Sequence, residues 1–390
     1  MILSAYLQLK LFYLILLLLP VNLAKHFLVP SSFVAGVLVD YLIPAVYLTD
    51  VLIIILLELL LVSTKPKINQ ALVIFLALLL PSLLAAAAFV PAVYKWLKLL
   101  ELAGFAWWIK KNISWKKHLP AISLALTGAL LWQSLLAIAQ WFKQGSILGY
   151  WFLGEQPYNA ATAGMDKISW LNGALKLPPL GTTPHPNVLA GLIVVLLPFL
   201  LNQILYSRWY LIPVFLSLVT LFLTFSLSAW LALILIVIPF FLYRLKPILL
   251  VGYAVLIISL IAGFFGNFEF LAPQTSFDRR SQLAGMAIKM VQDSPLIGQG
   301  LNNFTVVMDQ YGIIAATTRF LQPVHNIYLL ILAETGILGL FGFGYLIVCA
   351  FRSPRPAVLK LSLFTLLFLG LFDHYPFTLQ QGMLLLFLLV

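Results

Sequence analysis

Charge-free apolar runs recur from one end of this chain to the other, Val188–Leu201, Ile248–Phe265 and Phe377–Val390 among them. About 20 apolar residues carry a helix across roughly 30 Å of hydrocarbon, where every backbone polar group must find its partner inside the segment. Only 9% of the 390 residues are charged and 63% are hydrophobic, against roughly 25% charged in a soluble domain. So few charges cannot cover the surface of a soluble protein of this length. The expected fold is therefore all-α, a polytopic membrane bundle in which about twelve spans of about 20 residues take up about 240 residues. The runs lie near Leu3–Leu19, Ala45–Val62, Ala71–Val90, Ala92–Ile109, Leu119–Trp141 and Val188–Tyr206. They continue near Trp209–Phe225, Ala229–Tyr243, Ile248–Phe265, Ile327–Phe351, Ala357–Phe372 and Phe377–Val390. The turn at Pro91 would also suit a re-entrant pair. Residues 1–390 read as a single transmembrane domain without an internal repeat.

Where the basic residues fall sets the orientation. With the N-terminus inside, the inward loops hold Lys65, Lys67, Lys110, Lys111, Lys116, Lys117, Arg208, Arg244, Lys246, Arg352, Arg355 and Lys360, and no acidic residue. The outward side holds Lys25, Lys95, Lys98, Lys143, Lys167, Lys176, Arg279, Arg280, Lys289 and Arg319, interspersed with acids such as Asp40, Glu155, Asp166, Glu269 and Asp373. Short inward loops rich in Lys and Arg are what the positive-inside rule expects, so both termini are expected in the cytoplasm. The first segment reads as a span and not as a signal peptide, because Lys10 is its only charge and no A-x-A site follows. The net charge of +11 forms no stripe on a soluble face, so nucleic acid is not an expected partner, whereas membrane lipids are. Cys349 is the only cysteine, which excludes an internal disulfide and a Cys/His zinc cluster.

Two outward segments are long, 142–186 and 266–326. Loops beyond about 15 residues are usually functional or disordered. Within the second, Asp278–Gln292 has the period of an amphipathic helix, with Leu283, Met286, Ala287 and Met290 on one face and Ser294–Pro295 as its stop. The helix is expected to fold over the bundle near the membrane surface.

Unusual polar groups gather on this outer face: Thr183-Pro184-His185-Pro186-Asn187, Ser226-Leu227-Ser228, Arg279-Arg280, Pro323-Val324-His325-Asn326 and Asp373-His374-Tyr375-Pro376. His26 is outward as well; His118 alone of the five histidines faces inward. A helix N-terminus offers free N–H groups and a positive dipole end to phosphate oxygens. His325, expected in the first turn of its helix, would be held neutral by that dipole and so could accept a proton. Arg280 offers a forked donor suited to diphosphate. Taken one at a time, each residue also has an ordinary structural role, as a hydrogen-bonder, a lipid anchor or a helix start. The chain lacks a Walker loop, G-x-G-x-x-G before a helix, H-E-x-x-H and G-x-S-x-G. No outward Asp-x-Asp or Glu-x-Asp offers a metal for a diphosphate. Glu334 is nine residues beyond His325 and on the opposite helix face, so it is expected to pack against a neighbouring span.

Several motifs taken together resemble the O-antigen ligase and polymerase superfamily of bacterial membrane glycosyltransferases. They are His325-Asn326-Ile327-Tyr328-Leu329 continuing to Ala333-Glu334-Thr335-Gly336-Ile337-Leu338-Gly339, and the loop from Arg280 through Asp293-Ser294-Pro295-Leu296-Ile297-Gly298-Gln299-Gly300 to Phe304. His185-Pro186-Asn187-Val188-Leu189-Ala190 and Phe372-Asp373-His374-Tyr375 complete the set. The resemblance runs from about Gly181 to the C-terminus.

It implies a helical fold of the GT-C type in the cytoplasmic membrane, with its active site on the external face. The implied donor is a glycan on a polyprenyl (undecaprenyl) diphosphate, and the implied acceptor a lipid core or another glycan. The implied chemistry is inverting and uses neither metal nor cofactor. His325 would activate the acceptor hydroxyl, and Arg280 would hold the diphosphate. Arg279, Arg319, His185, Asn187, Asn326, Asp373 and His374 would line the substrate site. One position departs from the pattern, Leu227 standing where the family often has Arg; Arg279 or Arg319 would then substitute. Ligase and polymerase both remain open. A transporter or flippase of lipid-linked glycan is the competing class; it would use Asp50, Glu58, Glu101 and Glu334, with no basic residue expected deep beside them.

Overall fold

The structure is a computed structural model that describes residues 2–61, 69–162, 164–165, 167–169, 173–204, 206–245, 274–312, 314 and 320–390. The expected span Ile248–Phe265, the loop residues 266–273, and Lys65, Lys67, Asp166, Lys246, Glu269 and Arg319 lie outside the described residues.

Helices account for most of what is described. They are α1 (Ile2–Leu17), α2 (Leu48–Leu61), α3 (Gln70–Leu84), α4 (Phe89–Asn112), α5 (Trp115–Lys143), α6 (Pro186–Ile204) and α7 (Leu211–Leu223). Next comes α8, made of Leu227–Ala232 and Ile238–Leu245 joined through a π-helical turn at Leu233–Val237. The series ends with α9 (Gln274–Asp293), α10 (Ile327–Arg352), α11 (Ala357–Leu369) and α12 (Gln380–Leu389). Among the described residues α5, α6 and α10 are long and apolar enough to cross a membrane, and shorter apolar helices accompany them. The centre of the bundle is α6, whose Leu189, Ile193, Val194, Leu196 and Leu200 are fully buried; it packs on α5, α7 and α11. Around it, α3 lies along α10, α1 along α5, and α12 along α4.

Three details differ from expectation. The chain is not purely helical: Ala24–His26 (β1) pairs antiparallel with Ala45–Tyr47 (β4), around a small hairpin of Phe33–Val34 (β2) and Val37–Leu38 (β3). Pro30 and Pro44 oppose a helix here, and Gly36, at φ +81°, supplies the hairpin turn. The second apolar run therefore becomes helical at Leu48 and not at Ala45, where the Asp50 carboxylate accepts the Tyr47 N–H at 2.7 Å. The third run ends at Leu84, so that Lys95 and Lys98, expected in an outward loop, lie buried inside α4.

The loop after α9 enters the bundle instead of only lying over it. The expected amphipathic face of α9 is buried, Leu283, Met286, Ala287 and Met290 joining Phe304, Met308 and Leu330 in a second core. Beyond it the chain dips to where α10 is broken. Gly336 takes φ +64° and ψ −168°, a conformation open essentially to glycine alone. The backbone groups freed by the break are bonded by the loop: Gln299 N–H donates to Ala333 O, Gly300 N–H to Glu334 O, and Ile337 N–H to Pro295 O, each at 2.9 Å. Irregular backbone at such a position needs partners from the protein, since lipid offers none. Glu334 belongs to this junction. Its carboxylate accepts the N–H groups of Asn302 at 2.9 Å and Phe304 at 3.1 Å, so the loop holds it by hydrogen bonds, while Lys95 of the neighbouring helix α4 acts on it electrostatically.

Candidate active site

Four connections bring the expected site residues together. α6 begins at Pro186, whose ring fits the first helical position. Just before it, the His185 Nδ1 accepts the Asn187 N–H at 3.1 Å. At the start of α10 the cap is Asn326, whose side-chain oxygen accepts the N–H groups of Tyr328 and Leu329 at 3.0 and 2.9 Å. The Asn326 amide also donates to Leu371 O, and Ile327 N–H donates to Gly370 O at 2.8 Å. These bonds clamp the entry of α10 to the exit of α11, which sets His325 beside Asp373 and His374.

His325 is thus one residue ahead of the cap and not in the first turn, which corrects the dipole argument. Its pKa is lowered all the same, first by burial and then by Arg280 and His185, against an opposing pull from Asp373. The imidazole is neutral near pH 7 through desolvation. Its ring lies 5.1 Å from that of His374, edge to face, and its Nδ1 has no hydrogen-bond partner among the described residues.

Asp373 is buried, yet its carboxyl stays below the usual range. Burial pushes it up, and His374, His325, His185 and Arg280 together outweigh that. One carboxylate oxygen accepts the His374 N–H at 2.7 Å, and the other accepts from the Asn187 amide at 3.4 Å. Burial drives the His374 imidazole down to about 3. Its Nδ1 is hydrogen-bonded to the Thr378 hydroxyl at 2.7 Å, and its ring meets Tyr41 edge to face.

Arg280 reaches this group from α9, its guanidinium donating to Phe372 O at 3.0 Å. Arg279 does not join it; it stacks over Phe320, 5.0 Å from the ring centre, so the substitution expected of it for the missing arginine at Leu227 has no support in its position. Leu227 itself is half exposed in the first turn of α8. Ligand atoms of His325, Asp373 and His374 all fall within 4.8 Å of one another, a grouping that could hold a metal ion. Two imidazoles and a carboxylate are a familiar donor set for zinc, and sequence inspection for acidic pairs did not find it because its members come from separate loops.

A second polar region lies inward of Tyr41 and Thr378. A cavity of about 350 Å³ is lined by Tyr41, Tyr47, Tyr94, Lys95, Gln380 and Gln381, with others. At its wall Lys98 is ion-paired with Asp50 and lies 3.5 Å from Glu101. This overturns the expectation that no base accompanies the buried acids; Glu58, by contrast, is exposed. Sequence reading missed this group, although Gln380-Gln381 in an otherwise apolar run was a visible signal.

Residues 212–344 match the O-antigen ligase family, Wzy_C. No curated protein and no solved structure matches the chain.

Proposed function

We propose, from the premise that residues 212–344 belong to the O-antigen ligase family and its superfamily of ligases and polymerases, that this protein transfers a glycan from a polyprenyl diphosphate to an acceptor hydroxyl at the outer face of the bacterial inner membrane. The observation that carries the reading is the convergence of His325, Asp373, His374 and Arg280, from separate elements, around an imidazole that burial keeps neutral.

In the proposed reaction His325 takes the proton of the acceptor hydroxyl as its oxygen attacks the anomeric carbon. The bond from that carbon to the diphosphate oxygen breaks, and Arg280 stabilises the leaving diphosphate through charge-assisted hydrogen bonds. Attack opposite the leaving group inverts the anomeric centre. Asp373, fixed by Asn187 and ionised, supports the imidazolium that forms. No metal is needed in this scheme, because Arg280 supplies the positive charge. Twelve spans with both termini inside, a GT-C-like bundle in which 142–186 and 266–326 are external, complete the proposal. His185, Asn187 and Asn326 belong to the substrate-binding rim.

The test is transfer by purified protein from a polyprenyl-diphosphate oligosaccharide, with EDTA present, to lipid-core and glycan acceptors in turn. His325→Ala and Arg280→Ala are expected to lose at least about 100-fold in rate, the usual scale of one general base or one oxyanion partner. Full activity in His325→Ala would sink the mechanism, and loss of wild-type transfer in EDTA would move the chemistry to a metal on His325, Asp373 and His374. The productive acceptor decides ligase or polymerase.

The buried Lys98–Asp50 pair favours a second reading, a transporter of lipid-linked glycan, since intramembrane ionisable residues commonly mark transport paths. Substrate-dependent ion flux in liposomes, abolished by Asp50→Asn, would support it.

A further inference from the structure

The cavity beside the active site has no role in the transfer chemistry, and its lining is selective. Gln380 and Gln381 are each about 1% exposed. Both amide nitrogens are committed to the protein: Gln380 donates to Thr49 Oγ1 at 3.0 Å and Asp50 Oδ1 at 2.6 Å, and Gln381 donates to Val21 O and Asn22 Oδ1, both at 3.1 Å. Both amide oxygens lack a partner among the described residues. A buried acceptor without a donor is costly, by about 1–3 kcal/mol, so the pair calls for a ligand that brings hydrogens.

Charge narrows the choice. Lys95, Lys98 and Asp40 line the cavity, and Asp50 behind the wall is ion-paired with Lys98, so two bases face two acids and their formal charges balance. A diphosphate has no hydrogen for the two amides, and an ammonium would meet Lys95, which is buried at this wall. A neutral polyhydroxylated ring satisfies both conditions. Tyr41, Tyr47 and Tyr94 add aromatic surface at the same walls, and a volume of about 350 Å³ falls within the roughly 300–1,000 Å³ of small-molecule pockets.

We infer that this cavity is a sugar subsite, holding one neutral sugar ring next to the reacting centre through hydroxyl groups that donate to Gln380 and Gln381. Its position follows from shared residues. Tyr41 and Thr378 line the cavity and also contact the His374 ring, so a ring seated there is one contact from the catalytic cluster. The inference rests on the transferase reading for its substrate, and the sugar belongs to either the donor or the acceptor glycan.

Saturation-transfer NMR on the full-length protein in detergent tests it, with glucose, N-acetylglucosamine and N-acetylgalactosamine as probes. At least one sugar should receive magnetisation, and its affinity should fall about tenfold, one hydrogen bond's worth, in Gln381→Leu and Gln380→Leu. Gln380 also holds Asp50, so Gln381→Leu alone decides if the Gln380 variant does not fold. Binding of sugar-free polyprenyl diphosphate, which reads Arg280, should be unchanged in both. In the transfer assay, a raised KM for the acceptor assigns the ring to the acceptor glycan, and a raised KM for the donor assigns it to the donor. No sugar signal in the wild type, or a signal that persists in Gln381→Leu, overturns the subsite and leaves a water-filled cavity. If the wild type binds sugar but transfers nothing, the subsite stands and the transferase reading fails.

Discussion

The His325 imidazole is held neutral by burial, and each charged neighbour moves it in a known direction. Its pKa lies below the ordinary 6.5, so a base that must be neutral is available throughout the neutral range. The acid limb of kcat/KM should accordingly fall below pH 6.5, with transfer lost only as pH drops through the lowered pKa. Asp373 raises that pKa and Arg280 lowers it. On the transfer that remains, Asp373→Asn should therefore shift the limb to still lower pH, and Arg280→Ala should shift it upward; shifts in the opposite senses would remove His325 as the titrating base. His374 gives a stability counterpart. Folded it titrates at about 3, against an ordinary 6.5, so the unfolded chain binds the extra proton between those values. Stability is complete above pH 6.5 and declines below it by up to about 1.4 kcal/mol per pH unit from this group. Melting in detergent between pH 6.5 and 4 should be flatter in His374→Asn than in the wild type. Which residue types would meet was legible in the sequence, since polar groups at helix mouths stand out in an apolar chain. The distances were not legible, because Asn326 and Gly370 had to clamp two helices before His325 could reach Asp373.

At the scale of elements, the break in α10 shows what periodicity misses. The run from Ile327 to Phe351 reads as one apolar helix, and its outer bounds are close to those observed. The break at Gly336 depends on the loop at Pro295–Gly300 reaching it, a long-range contact that local pattern does not encode. The same limit hid Lys95 and Lys98: two lysines near the end of an apolar run look like a loop until Asp50 and Glu101 are known to face them. A Cβ at Gly336 would come within 2.2 Å of the Leu296 carbonyl, and its φ and ψ cost a non-glycine residue of order 1–3 kcal/mol. Gly336→Ala should thus destabilise by about 2 kcal/mol or more and free the 294–304 loop, seen as new protease cleavage there; an unchanged melt would contradict the junction. Glu334→Gln keeps one acceptor for the N–H groups of Asn302 and Phe304. It should be milder than Glu334→Ala, which orphans both at about 1–3 kcal/mol each.

Across the whole molecule the burden of the proposal is sidedness, because a polyprenyl-diphosphate donor outside the cell requires the histidine cluster outside. The fold makes this a single question. The entries of α6 and α10, the exit of α11, the part of α9 carrying Arg280 and the 3-10 turn Asp40–Leu42 carrying Tyr41 all meet at one end of the bundle. The basic ends of α4, with Lys110 and Lys111, and of α10, with Arg352, mark the ends of helices directed away from it. Positive residues favour the cytoplasm, so the two features predict opposite faces. The single cysteine makes the test direct: Cys349→Ala gives a cysteine-free background, into which exposed sites are introduced one at a time. Asn159→Cys and Gln310→Cys should react with a membrane-impermeant maleimide in intact spheroplasts. Lys116→Cys and Arg352→Cys should react only after permeabilisation. The inverse pattern would turn the His325 cluster toward the cytoplasm, where the lysine-rich loops would then lie outside, and would end the case for an external transferase however well the local geometry fits it.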